Sequence, residues 1–154
     1  QTGRRYLCLY LPERRRFSNS RLDSITRVTL LEPCAFYEEV LRDLEKNKEK
    51  CWGVSFGSGT SRMEEVCIKL YIDEEKEPYI LNRLYREGRG GEIMKIRENQ
   101  FLYTGTFFDT NEMLSWVKTF TGRIMDIQGT NFFSIAKITR DWEKMYEMYC
   151  GNEE

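Results

Sequence analysis

Apolar and polar positions alternate from Arg4 to Leu11, with Tyr6, Cys8 and Tyr10 on one side and Leu7, Leu9 and Leu11 on the other. That period of two predicts a β-strand. Pro12-Glu13 starts a turn, and Phe17 to Leu31 is expected to return as one or two strands, with Val28 and Leu30 alternating against Arg27 and Thr29. Pro33 closes this block, because the residue before a proline is pushed out of the helical region. From Phe36 to Lys48 the period changes. Phe36, Val40, Leu41 and Leu44 share one face of a helix, opposite Glu38, Glu39, Arg42, Asp43, Glu45 and Lys46. "CWGVSFGSGTSRM" (Cys51–Met63) is an apolar anchor followed by a glycine- and serine-rich loop, which predicts a boundary before a second unit.

The second unit opens on "EVCIKLYI" (Glu65–Ile72), where Val66, Ile68, Leu70 and Ile72 form one face of a strand. Pro78 opens a helix whose buried stripe is expected to be Tyr79, Ile80, Leu84 and the stem of Arg83. Gly88, Gly90 and Gly91 stop it. Glu92–Arg97 and Gln100–Phe107 read as a hairpin around Glu98-Asn99. Asp109 or Thr110 caps the next helix, with Glu112 in its first turn. Met113, Leu114, Val117 and Phe120 face inward, and Gly122 ends the helix. Arg123–Gln128 reads as a last strand. The order strand, helix, strand, strand, helix, strand is the ferredoxin-like order: one antiparallel sheet with two helices on one face. Thr130 to Cys150 adds a helix with Ile135, Ile138, Trp142, Met145, Tyr146 and Tyr149 along its apolar face.

A chain of 154 residues with 40% apolar and 32% charged residues fits a soluble α+β protein of one or two small domains. No apolar run approaches a membrane span. The net charge of −1 hides an asymmetry. Residues 1–32 hold seven arginines against three carboxylates, a balance of +4, so the remainder carries −5. Such a segregated charge predicts either an anion site in the first segment or a basic edge that discourages aggregation. The five cysteines are widely spaced, with no C-x-x-C and no histidine in the chain. A zinc site is not expected, and the cysteines read as reduced thiols of a cytoplasmic protein.

The same inventory argues against an enzyme. No histidine is present to act as a base near neutral pH, and the carboxylate pairs Glu64-Glu65 and Glu74-Glu75 sit in solvated charge runs. Gly88-Arg89-Gly90-Gly91 follows a helix and precedes a strand, the reverse of a phosphate loop. Arginine beside tyrosine is another matter. The planar guanidinium pairs with phosphate through two parallel hydrogen bonds, and a tyrosine ring gives a base a face to stack on. A basic surface over a tyrosine-containing core would use the same residues.

"GRRYLCLYLPERRRFSNSRLDSITRV" resembles the central part of the WYL domain, with Arg5-Tyr6-Leu7 at the Trp-Tyr-Leu tripeptide and Ser20-Arg21-Leu22-Asp23-Ser24-Ile25 at the later Phe-Arg-Leu-Asp-Arg-Ile segment. "FYEEVLRDLEKNKEKCWGVSF" looks like the linker of such proteins. "EEVCIKLYI" through "MLSWVKTFTGRIMDI" looks like their C-terminal WCX extension. The resemblance implies part of a Sm-like WYL barrel over residues 1–33, a helical linker and loop over 34–63, a ferredoxin-like WCX domain over 64–129 and a terminal helix over 130–154. It further implies a bacterial transcription regulator whose barrel senses a nucleotide or single-stranded nucleic acid. Tyr6 and Arg21 match the family's pocket positions, and Arg14, Arg15 and Arg16 match in charge. The family's tripeptide tryptophan is Arg5 here. Its second arginine is Ser24, for which Arg27 stands as a substitute. The resemblance begins at the tripeptide, so the chain is expected to be a truncated piece of such a regulator.

No cofactor or metal is implied, and the expected partners are a second copy of the chain and the effector. A homodimer is expected from open strand edges and from Trp142, Tyr146 and Tyr149 on the terminal helix. Two other readings stay open: a pure oligomerisation module, and a small-molecule sensor with a pocket of Tyr85, Phe107 and Trp116. Duplex DNA is expected to be bound only through a domain outside these residues. The helices at 36–48 and 78–87 mix both charges, and no segment has the basic face of a recognition helix. Footprinting with residues 1–154 should therefore show no protected operator, and a defined footprint would overturn that expectation.

Overall fold

The computed structural model describes residues 3–57 and 63–150. The chain is a mixed α+β fold: a β-hairpin, a helix, a β-α-β-β-α-β unit and a terminal helix. Most of the glycine- and serine-rich loop read as a boundary lies outside the described residues.

Strands β1 (Tyr6–Leu11) and β2 (Arg16–Arg21) pair antiparallel, with Tyr6 opposite Arg21 and Leu11 opposite Arg16. Their link is a single 3-10 turn over Pro12–Arg14, closed by Arg15 N–H donating to the Pro12 carbonyl at 3.2 Å. Proline presets the turn's first φ. Arg15 then takes the left-handed conformation (φ 47°), which costs a residue with a Cβ roughly 1–2 kcal/mol.

The expected continuation to Leu31 as a strand does not form. A 3-10 turn at Leu22–Ser24 leads into an unpaired stretch, where Val28, Leu30 and Leu31 are 78%, 94% and 85% exposed. Alternation gives a strand its face but not its partner, and among the described residues no strand pairs with this stretch.

Helix α1 (Tyr37–Lys48) carries Glu38 and Glu39 in its first turn and Lys46 and Lys48 in its last, the signs that complement its dipole. Val40 and Leu44 are half-buried, while Phe36 and Leu41 of the expected stripe stay exposed.

The second unit holds the core. Strands β3 (Glu64–Tyr71), β4 (Gly91–Arg97), β5 (Gln100–Phe107) and β6 (Ile124–Gly129) form one antiparallel sheet in the order β4-β5-β3-β6. Helices α2 (Pro78–Glu87) and α3 (Leu114–Lys118) connect its strands, and α4 (Phe132–Cys150) follows the last. Val66, Ile68, Leu70 and Ile72 meet Phe101, Tyr103 and Phe107, with Ile80 and Leu84 of α2, Met113, Leu114 and Val117, Phe120 and Ile138, all at most 7% exposed.

Tyr79 departs from the expected stripe of α2: it is 63% exposed, one position off the face that Ile80 and Leu84 bury. Arg83 does lie inward, with its guanidinium 5.0 Å from the Phe120 ring centre. Asn99 makes the expected tight turn with φ 58°. Arg123 donates to Glu77 through two guanidinium nitrogens and ties the start of β6 to the start of α2. That pairing holds the Glu77 carboxyl below its ordinary value.

Gly91 and Gly105 face each other across β4 and β5. A Cβ on Gly91 would lie 2.4 Å from the Tyr103 ring, and one on Gly105 would lie 2.4 Å from the Phe107 ring. Both rings therefore lie flat over bare backbone. Neither can swing away, since both are fully buried. Gly105→Ala is expected to destabilise the fold by about 1–3 kcal/mol through overpacking. A urea titration should show a lower midpoint with an unchanged slope.

Candidate functional site

The hairpin has no fully buried residue, so its place depends on the segment after α1. Trp52 enters the core edge-on to Tyr103 and Phe107 and lies 4.7 Å from Trp116, centre to centre. The Glu112 carboxylate, just before α3, accepts the backbone N–H groups of Gly53, Val54 and Ser55 at 2.9–3.1 Å. Gly53 admits that carboxylate, because a Cβ there would fall 2.8 Å from it. Phe108 N–H donates to the Lys50 carbonyl at 3.0 Å. From this fixed linker the Val54 carbonyl accepts the Asn19 side-chain amide at 2.7 Å. A run of rings, Tyr10, Phe17, Phe56 and Phe108, completes the seat, with successive centres 5.4–6.1 Å apart.

Two clefts open along the hairpin face that looks at α1. The larger, of about 760 Å³, is bounded by Tyr10, Arg15, Arg16, Phe17, Phe36, Phe56 and Phe108, with Glu39 and Asp43 on the α1 wall. The smaller, of about 290 Å³, has Tyr6, Cys8, Asn19, Leu44, Cys51 and Val54 around it, with Glu45 and Lys48 at α1. Phe56 lines both. The structure thus separates the six residues singled out from the sequence. Arg15 and Arg16 rim the larger cleft and Tyr6 lines the smaller. Arg21 lies opposite Tyr6 in register, and its guanidinium donates to both carboxylate oxygens of Asp23, with Nε at 2.9 Å. Arg14 and Arg27 are exposed and line neither cleft.

The electrostatics follow from these contacts. Hydrogen bonding to Arg21, then its charge, holds the Asp23 carboxyl below its ordinary value, and the same bond raises Arg21. Burial pushes the Cys51 thiol up to about 11, helped by the charge of Glu112 and by Cys8. Burial also raises Cys8. Near neutral pH both thiols are protonated and poor nucleophiles.

Among the described residues no cluster of three or more His, Cys, Asp or Glu side chains could hold a metal ion, and no helix is long and apolar enough to cross a membrane. A third cleft, of about 530 Å³, lies on the open face of the sheet beside Cys67, Thr104 and Gln128. Tyr85, Phe107 and Trp116 do not share a pocket: Phe107 is fully buried, Trp116 packs tilted against Trp52 and edge-on to Phe120, and Tyr85 is exposed.

Several site residues were not singled out from the sequence: Asn19, Phe36, Phe56, Phe108 and Glu112. The density of aromatic residues around the hairpin and in "CWGVSF" is the signal that could have found the phenylalanines, and Asn19, in a polar run, had none. Glu112 had none, because it looks like any acidic residue in a first turn. A scan against protein-family models finds no match, and searches of curated proteins and of solved structures find no similar protein.

Glu112→Ala leaves three backbone N–H groups of the linker without their acceptor. The expected loss is about 1–3 kcal/mol, with faster proteolysis at residues 51–57 before the core unfolds. Limited digestion followed by mass spectrometry checks this. Cleavage no faster than in wild type would show that the carboxylate does not hold the linker.

Proposed function

We propose that this chain is the effector-sensing and dimerising part of a WYL-type bacterial transcription regulator, acting in the cytoplasm. The hairpin β1–β2 belongs to a Sm-like sensor barrel, and β3 to β6 with α2 and α3 form the ferredoxin-like WCX extension. The sheet order β4-β5-β3-β6 supports the second assignment. The effector is a nucleotide or a short single-stranded nucleic acid, held between the hairpin and α1. Duplex DNA is left to a domain outside these residues.

One observation carries the reading. Arg15 and Arg16 rim a cleft whose walls include Tyr10, Phe17, Phe36, Phe56 and Phe108, so phosphate-binding guanidinium groups stand beside faces on which bases stack. Arg15 adds weight: it sits in a left-handed position where glycine or asparagine would be cheaper. The cleft is not uniformly basic, since α1 contributes Glu39 and Asp43. Phosphate belongs at the hairpin rim and the bases toward the aromatic floor. The rival, an oligomerisation module alone, is favoured by the exposed end of α4.

Short single-stranded oligonucleotides should bind with affinity that falls steeply with salt, about 0.7 log units per tenfold salt for each phosphate neutralised. Arg15→Gly relieves the turn and should keep the hairpin folded. It is expected to weaken binding about tenfold or more and to lower the salt slope by about 0.7. Arg14→Ala serves as the control and should change little. Titrations at two salt concentrations decide it. Equal affinity for wild type and Arg15→Gly would return the arginines to a solvated edge.

A further inference from the structure

We infer that the larger cleft selects guanine, reading the N1–H and 2-amino edge of that base with the Asp43 carboxylate of α1. The inference rests on the nucleotide reading above and names the base that the same site takes.

Five residues of α1 and its N-cap line this cleft: Phe36, Glu39, Val40, Asp43 and Asn47. Counted from Phe36 they fall at i, i+3, i+4, i+7 and i+11, which is one face of a helix. Asp43 stands toward the middle of that face, where an apolar residue would close the helix onto Tyr10, Phe17, Phe56 and Phe108. Aspartate and asparagine are also weaker helix formers than the leucine, glutamate, lysine and arginine that fill most of α1. Asn47 donates its side-chain amide to the Asp43 carbonyl at 2.7 Å, within the helix. Arg15 and Arg16 line the same cleft, yet among the described residues no hydrogen bond or ion pair engages the carboxylate of Glu39 or Asp43. Both oxygens of Asp43 are left for a ligand.

The chemistry of a carboxylate decides which base edge it takes. When ionised it accepts hydrogen bonds and donates none. Guanine offers two adjacent donors, N1–H and the 2-amino group, to the two oxygens of one carboxylate, in the same parallel pairing that a guanidinium makes. Adenine and cytosine offer one amino group beside a ring nitrogen whose lone pair repels the second oxygen. Thymine and uracil offer one N–H between two carbonyl oxygens. The guanine edge is open in a free nucleotide or a single strand, where bases stack on aromatic side chains and are read along their Watson–Crick edges. With the base on the rings of the floor and its phosphate at Arg15 and Arg16, N1 points away from the sugar and toward α1. The two oppositely charged walls are then used together, one on the phosphate and one on the base.

Fluorescence anisotropy with the whole chain tests this, using labelled oligothymidylates of about five residues with the central base exchanged. A central guanine should bind at least about fivefold more tightly than thymine, adenine or cytosine. Hypoxanthine, which lacks the 2-amino group, and 2-aminopurine, which lacks N1–H, should each lose most of that advantage. Asp43→Asn should bring guanine down to the level of thymine and leave thymine unchanged or tighter, because the exchange removes a negative charge from the cleft. A change in the fold or in the cleft's charge alone would shift every base together and keep their ratios. Circular dichroism verifies that α1 persists. Equal affinity for guanine and thymine in wild type, hypoxanthine binding as tightly as guanine, or a guanine preference that survives Asp43→Asn each overturns the inference. Oligonucleotide binding that still weakens in Arg15→Gly then leaves the site itself standing. No binding of any oligonucleotide removes the nucleotide reading and this inference with it.

Discussion

The Glu112 carboxylate, shared among three backbone N–H groups of the linker, is the contact on which the arrangement of the chain turns. A two-stranded hairpin is marginal by itself in water, and this one buries no residue fully. What keeps it against α1 is a linker that cannot wander. Trp52 plants that linker in the core, and Glu112 fixes the three residues that follow. A charged acceptor makes a stronger hydrogen bond than a neutral one, and one carboxylate shared among three partly exposed N–H groups contributes about 1–3 kcal/mol in all. The carboxylate also sits beside the start of a helical segment, where negative charge is favoured. Asn19 and Phe17 then need only meet a surface that is already in place.

The core was legible in the sequence because burial there obeys a period. Val66, Ile68, Leu70 and Ile72 are two residues apart and all buried, and Met113, Leu114, Val117 and Phe120 follow helical spacing and are all buried. Periodicity reports which residues could share a face. It does not report whether anything covers that face. Val28 and Leu30 alternate with no strand paired to them among the described residues, and Met145 and Tyr149 continue a stripe beyond the core. The clefts were legible only in part for a related reason. Arg15, Arg16 and Tyr6 announce themselves by type and neighbourhood. Glu112 and Gly53 are 59 residues apart, and no local pattern marks a carboxylate that serves a distant backbone.

Charge segregation acquires a more specific meaning once the hairpin is placed. Two of the first segment's arginines, Arg15 and Arg16, face a helix wall with Glu39 and Asp43. Part of the positive charge is spent locally, since Arg21 is engaged by Asp23. Exposed pairs of this kind contribute little to stability, but they settle where a guanidinium points. Arg21 is therefore a less available anion ligand than its position in β2 suggests. Arg15 and Arg16 rim the cleft on the hairpin side, and Glu39 and Asp43 line it on the helix side, so its two walls carry opposite charge.

Stability is consequently uneven along the chain. The β3–β6 unit holds the buried core, whereas the hairpin and α1 rest on it through a few aromatic contacts and the linker's hydrogen bonds. Segments with few buried contacts open at a free energy well below that of global unfolding, and ligand clefts are built from such segments because entry requires movement. Here the opening cost is set at the linker, by Trp52 and Glu112. The same tryptophan lies against Trp116 of α3, whose neighbours Lys118 and Thr121 hold Asp141 and Trp142 of α4. Spatial continuity alone couples nothing. A ligand that binds the seated hairpin better than the displaced one would, however, stabilise the whole run by its differential affinity, because the linker cannot leave its place without withdrawing Trp52 from the core.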